Sequence, residues 1–246
     1  IFDMKMQSFE RYSQILFNST KRMFFGVDKS TNIEHIAFEL TNLCNSKCNM
    51  CHIWANRENS NILTTEEIFK ILNDPEFANL KDLMLTGGEM YMRDDIPDII
   101  AEANRVNPNT RIFTSTNGLL YDKILKCAEI SAKQGIMVHY GISLDGIGDR
   151  HDQRRRMPGN FLCIDQYLIP GLKKLQKKYP NTITITIGMC LDEYGMESFE
   201  DLKDYTDSLD LPMVGQMIED FDYYLPEKKR TRKENQWDIM NTDTKL

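Results

Sequence analysis

The chain has 246 residues, 41% hydrophobic and 27% charged, enough for one large α/β domain with a substantial core and ordinary for a globular protein. Thirty Lys and Arg against thirty-seven Asp and Glu leave a formal charge of −7. That argues against nucleic acid or a membrane surface as general partners, since both need a basic footprint. No apolar run approaches the length that spans a bilayer. No signal peptide is visible, and six cysteines are too sparse for a disulfide framework. The cytoplasm is the expected location.

In chain order, Phe9–Phe25 reads as an amphipathic leader helix, with Phe9, Tyr12, Leu16 and Phe17 on one face. Residues 1–32 form this leader, 33–218 the core domain and 219–246 a polar tail. Candidate strands are Ile33–Leu40, Asp82–Thr86, Thr110–Ser115, Ile136–Leu144, Thr182–Cys190 and Pro212–Ile218. Helical patterns lie between them, near Thr65–Leu72, Ile96–Val106, Tyr121–Gln134, Phe161–Tyr179 and Glu197–Leu209. Thr64 and Glu67 have the spacing of a capping box. Six strands alternating with helices imply parallel βαβ units with right-handed crossovers. A barrel and a doubly wound sheet both satisfy that pattern. The tail, with Lys228, Lys229, Arg230, Arg232 and Lys233, reads as solvated chain rather than a docking arm.

Cys44, Cys48 and Cys51 stand together in the stretch Glu39 to Trp54. A cubane [4Fe–4S] cluster normally takes four thiolates. Three from one loop hold it and leave one iron open to bind and activate a small molecule. Zinc is the alternative, with His52 as fourth ligand. Against it, His52 directly follows Cys51, adjacent residues seldom point at one metal, and no second cysteine pair lies downstream.

Ligands in parallel α/β sheets bind outside the carboxyl ends of the strands, and several polar segments fall there. Thr86-Gly87-Gly88-Glu89 follows the second strand, with glycines for close backbone approach and a carboxylate able to grip an ammonium. Ser115-Thr116-Asn117-Gly118 ends the third and places Asn117 among the candidate cofactor contacts. Ser143-Leu144-Asp145-Gly146 ends the fourth. Alternation sets His139, Gly141, Ser143 and Asp145 on the inner face, opposite Val138, Tyr140, Ile142 and Leu144; short polar groups there suit a ribose. His151-Asp152-Gln153-Arg154-Arg155 comes next, with Arg154 and Arg156 expected as surface or phosphate-facing neighbours. Cys190 shares the inner face of its strand with Thr184, Thr186 and Gly188, whereas Cys127 and Cys163 read as packing residues.

The three-cysteine spacing, the GGE turn and the SLDG…HDxxR pattern together resemble the radical S-adenosylmethionine (SAM) superfamily. Within it they are most similar to the sulfatase-maturase and peptide-modifying group. The resemblance covers about Ile33 to Ile218. It implies a partial (β/α)6 barrel, with a [4Fe–4S] cluster on Cys44, Cys48 and Cys51. It also implies SAM held by Met50, Gly87, Gly88, Glu89, Asn117, Ser143, Asp145 and Arg155. The amino group would go to the GGE turn, the ribose to Ser143 and the carboxylate to Arg155. Met90 stands where the family has proline, and Met50 where it commonly has an aromatic residue. The implied reaction is reductive cleavage of SAM to a 5′-deoxyadenosyl radical, which takes a hydrogen atom from a peptide, sugar or small molecule. Flavodoxin or ferredoxin is the implied reductant. No cysteine follows Cys190, so the auxiliary clusters of the group's C-terminal domain are not expected within this chain. Cys190 is a candidate catalytic residue, as the hydrogen donor of an epimerase. A non-catalytic iron–sulfur or zinc sensor is the rival reading.

Overall fold

The computed structural model describes residues 33–55 and 62–217; the expected leader helix and polar tail lie outside them. Six strands, β1 (His35–Glu39), β2 (Asp82–Thr86), β3 (Arg111–Thr116), β4 (Val138–Ser143), β5 (Ile183–Leu191) and β6 (Met213–Met217), form one sheet in sequential order. All five pairings are parallel. The order decides between the two architectures the alternation allowed. A doubly wound sheet reverses its direction of growth once; here every strand is added on the same side. Right-handed crossovers then place the helices on one face and leave the other as the lining of a partial (β/α)6 barrel. β1 and β6 are its edges, so the barrel is not closed.

The helices are α1 (Thr65–Leu72), α2 (Ile96–Val106), α3 (Tyr121–Lys133), α4 (Asp149–Arg155), α5 (Asn160–Cys163), α6 (Ile169–Lys178) and α7 (Glu193–Ser208). Strand alternation shows in burial: Val138, Tyr140 and Ile142 are buried against helices, whereas His139, Gly141 and Ser143 are half-buried. In β5, Ile183, Ile185, Ile187 and Met189 face the helices. Opposite them pack Ile68 and Leu72, Ile99 and Ile100, Ile124 and Ala128, Leu172 and Leu202. Each large side chain buried this way contributes about 1.5–3 kcal/mol.

The Thr64–Glu67 capping box is present: Glu67 N donates to Thr64 Oγ1 at 3.2 Å and Thr64 N to Glu67 Oε2 at 2.8 Å. The helix expected over Phe161–Tyr179 is α5, a π-helical turn at Ile164–Leu168 and α6, end to end. Ile169 N–H reaches back five residues to the Ile164 carbonyl. Pro170 follows, and its ring, which would press on the carbonyl four residues back, widens the helix ahead of it.

Candidate active site

The cysteine loop follows β1 and is clamped from two sides. On one side runs the turn after β2, where Gly88 N donates to the Thr41 carbonyl at 2.6 Å and Glu89 N to the Leu43 carbonyl at 2.8 Å. A Cβ at Gly87, whose φ is 127°, would lie 2.5 Å from the Thr41 oxygen; one at Gly88 would lie 2.1 Å from the Leu43 oxygen. The close approach these glycines permit is thus to the cysteine loop itself. On the other side, the last carbonyls of α4 accept from the loop, Gln153 O doing so besides taking the Arg156 N–H. Asn49 N donates to Arg154 O at 3.0 Å, Asn49 Nδ2 to Gln153 O at 3.2 Å and Ser46 Oγ to Arg155 O at 2.9 Å.

Donors converge on the sulfurs. Ser46 N lies 3.4 Å and Asn117 Nδ2 3.8 Å from Cys44 Sγ, and Arg155 Nη1 lies 3.9 Å from Cys48 Sγ. Burial pushes the Cys44 thiol up to about 11 and the Cys51 thiol upward as well. Iron binding removes those protons, and donors to sulfur spread the thiolate charge. Among the described residues no three His, Cys, Asp or Glu side chains converge closely enough to hold a single ion. The donor chemistry of the three thiols fits an iron–sulfur cluster.

Around the loop, buried polar side chains join the strand ends. Glu89 is fully buried. It accepts from Asn117 N at 2.8 Å, Thr116 Oγ1 at 2.9 Å and Tyr91 N at 3.4 Å. Burial raises its pKa to about 7 against the pull of those donors. Asn117 Nδ2 also donates to Asn45 Oδ1 at 2.8 Å, and the Asn117 carbonyl accepts Asn160 Nδ2 at 2.8 Å. His151 Nδ1 accepts Asp145 N–H at 3.1 Å, which leaves Nε2 protonated and donating to Asn160 Oδ1 at 3.1 Å. Burial, then the Arg155 charge, lowers the His151 pKa to about 4. Asp145 is fully buried, with Oδ2 on Arg155 Nε at 2.7 Å and Oδ1 on Cys190 N at 2.9 Å.

The fold therefore joins Cys44, Cys48, Gly87, Gly88, Glu89, Asn117, Asp145, Arg155 and Cys190 in one contiguous set, with Cys51 in the same loop. Met50 and Ser143 are half-buried and stand outside that network of bonds; the Ser143 hydroxyl has no partner among the described residues. Asp145 differs from the open polar group expected of it, because both its oxygens are engaged within the protein. Arg154 corrects the surface assignment: it is 5% exposed, its Nη2 pairs with Asp192 at 2.6 Å, and its guanidinium lies over the Tyr194 ring. Ser46, His151 and Asn160 were not singled out from the sequence. Only His151 had a signal, its place in the HDxxR segment.

Residues 38–206 match the radical SAM superfamily, and this chain belongs to it. Members use a [4Fe–4S] cluster and SAM, which are the cofactors the site fits. The chain is 33% identical over 129 residues to Fe-coproporphyrin III synthase of Methanosarcina barkeri (strain Fusaro / DSM 804), covering 51% of this chain and 31% of that protein. It is 26% identical over 190 residues to GTP 3′,8-cyclase of Clostridium perfringens (strain SM101 / Type A), covering 74% and 55%. The solved structure of native anSMEcpe with bound AdoMet and Kp18Cys peptide shares the fold, with a TM-score of 0.59 and 16% identity over 80% of this chain and 56% of that one. The chain thus spans between about a third and just over half the length of these proteins. Among the described residues no helix is long and apolar enough to cross a membrane.

Proposed function

We propose that this chain is the catalytic core of a radical SAM enzyme that cleaves SAM reductively and removes a hydrogen atom from an organic substrate. The observation that carries this is the contiguous set joining the three-cysteine loop to the ends of β2, β3, β4 and β5. When bound on Cys44, Cys48 and Cys51, the cluster would supply the one-electron chemistry that splits SAM into methionine and the species that takes the substrate hydrogen. Cys44, Cys48 and Cys51 hold the iron. Gly87, Gly88 and Glu89 shape the amino-group end, where buried Glu89 fixes the Thr116–Asn117 turn. Arg155, held by Asp145, offers its remaining N–H groups to the SAM carboxylate. The Ser143 hydroxyl, without a partner among the described residues, serves the ribose, and Met50 the adenine. The SLDG…HDxxR pattern and the likeness to a peptide-bound structure favour a peptide substrate over a sugar or other small molecule. Flavodoxin or ferredoxin supplies the electron.

The test is anaerobic reconstitution with iron and sulfide, followed by dithionite and SAM. Expected are iron–sulfur absorbance, lost in Cys44→Ala, Cys48→Ala or Cys51→Ala, and formation of 5′-deoxyadenosine. Zinc without sulfide in anaerobically prepared protein overturns the reading. Unchanged SAM affinity in Arg155→Ala removes that residue's role.

One observation favours an epimerase as the second reading. Cys190 is half-buried on the inner face of β5, and burial, with Asp145 nearby, pushes its thiol up to about 11, so it keeps a hydrogen to give. Turnover in deuterated water is expected to leave deuterium on the product in wild type and to stall in Cys190→Ala. Full activity of that variant returns Cys190 to packing.

A further inference from the structure

Ser46 is fully buried between two of the cysteines. Its hydroxyl donates to the Arg155 carbonyl at 2.9 Å, and the same oxygen lies 3.1 Å from Cys48 Sγ. A hydroxyl has one hydrogen and two lone pairs. While Cys48 keeps its own hydrogen the account closes, with S–H donating to Ser46 and Ser46 donating to Arg155. A thiolate bound to iron has no hydrogen. The one Ser46 hydrogen then has two acceptors to choose between, and the charged thiolate makes a stronger hydrogen bond than the neutral Arg155 carbonyl. The other donors near Cys48 do not resolve this. Arg155 Nη1 stands off at 3.9 Å, and the Ser46 N–H is directed at Cys44. Among the described residues, the Ser46 hydroxyl hydrogen alone lies between both acceptors.

We propose that Ser46 is a positioning residue that responds to ligation of Cys48. When Cys48 binds the cluster, the Ser46 hydrogen turns from the Arg155 carbonyl to the Cys48 sulfur. The inference rests on the reading of Cys48 as a cluster ligand. Two consequences follow. The sulfur gains a donor, which favours the reduced, more negative cluster. The loop gives up its Ser46 tie to α4 at the Arg155 carbonyl and keeps those of Asn49 to Arg154 O and Gln153 O.

The test is an EPR-monitored redox titration of anaerobically reconstituted wild type, Ser46→Ala and Ser46→Thr, without SAM or substrate. The midpoint of Ser46→Ala is expected to be more negative than that of wild type, and Ser46→Thr, which keeps the hydroxyl, to move it back. Equal midpoints in wild type and Ser46→Ala overturn the proposal while leaving the cofactor reading intact. Should Ser46→Ala take up no iron, a crystal structure of loaded wild type decides. Ser46 Oγ is expected within hydrogen-bond reach of Cys48 Sγ and out of reach of the Arg155 carbonyl; a hydroxyl still donating to that carbonyl overturns the proposal. Wild type that binds no cluster would instead overturn the functional reading beneath it.

Discussion

Arg155 donates through Nε to Asp145 Oδ2 at 2.7 Å, with Asp145 fully buried and Arg155 8% exposed. The pair ties the end of β4 to the end of α4, and through the other Asp145 oxygen it reaches Cys190 on β5. Its energetics are those of a buried ion pair, in which removing one partner strands the other charge. Asp145→Asn and Arg155→Met are each expected to cost about 3–5 kcal/mol in urea unfolding of the iron-free protein. The double variant should cost clearly less than the two together, because neither charge is then left alone. Additive losses would show that the two residues are not coupled.

The seat of the cysteine loop on the β2 turn gives a second prediction. A methyl at Gly88 meets the Leu43 carbonyl at 2.1 Å, a backbone contact that no rotamer change relieves. At Gly188, on the inner face of β5, the nearest atom is the Ile142 carbonyl oxygen at 3.9 Å. Gly88→Ala is expected to destabilise by about 1–3 kcal/mol and to lower iron uptake on reconstitution. Gly188→Ala should change neither appreciably. Thermal unfolding and iron content per chain are the measurements, and equal behaviour of the two variants would refute the close-seat account.

Alternation was legible in β4 and β5, where Val138, Tyr140 and Ile142, and Ile183, Ile185, Ile187 and Met189, share one face. β2, α1 and α2 fall at the residues read from the pattern. α4 was not read as a helix, and its composition explains why. DRHDQRR has no apolar face, and its buried members are His151, Arg154 and Arg155, made burial-competent by Asn160, Asp192 and Asp145. Those partners lie on other elements, so apolar periodicity cannot reveal them. α7 starts four residues before the expected Glu197, at Glu193, because Asp192 caps it by accepting from Gly195 N at 2.9 Å. That cap is a readable signal. The cysteines, the GGE turn and Arg155 were legible as motif. The engagement of Asp145 with Arg155 and Cys190 was not, because which partner a carboxylate meets depends on how three strand ends and a helix converge.

The last prediction concerns pH and two buried groups that pull in opposite directions. The His151 pKa falls from 6.5 to about 4. The unfolded chain therefore binds more protons than the folded one between those values, and this group's contribution is present above pH 6.5 and lost as pH falls toward 4. The cause is geometric as well as electrostatic, since a protonated Nδ1 cannot accept the Asp145 N–H. The Glu89 pKa rises from 4.5 to about 7. Its contribution is present below pH 4.5 and lost as pH rises through 7. Each departure is worth up to roughly 3 kcal/mol, so over the shared window the two slopes largely cancel. Iron-free wild type is expected to show a nearly flat contribution from this pair. His151→Gln, which keeps an acceptor and a donor but does not titrate, should become less stable from pH 4.5 to pH 7. Glu89→Gln should become more stable from pH 4 to pH 6.5. Urea unfolding of the three proteins across that range is the measurement. Identical profiles in all three would mean that neither group titrates differently in the folded and unfolded chain.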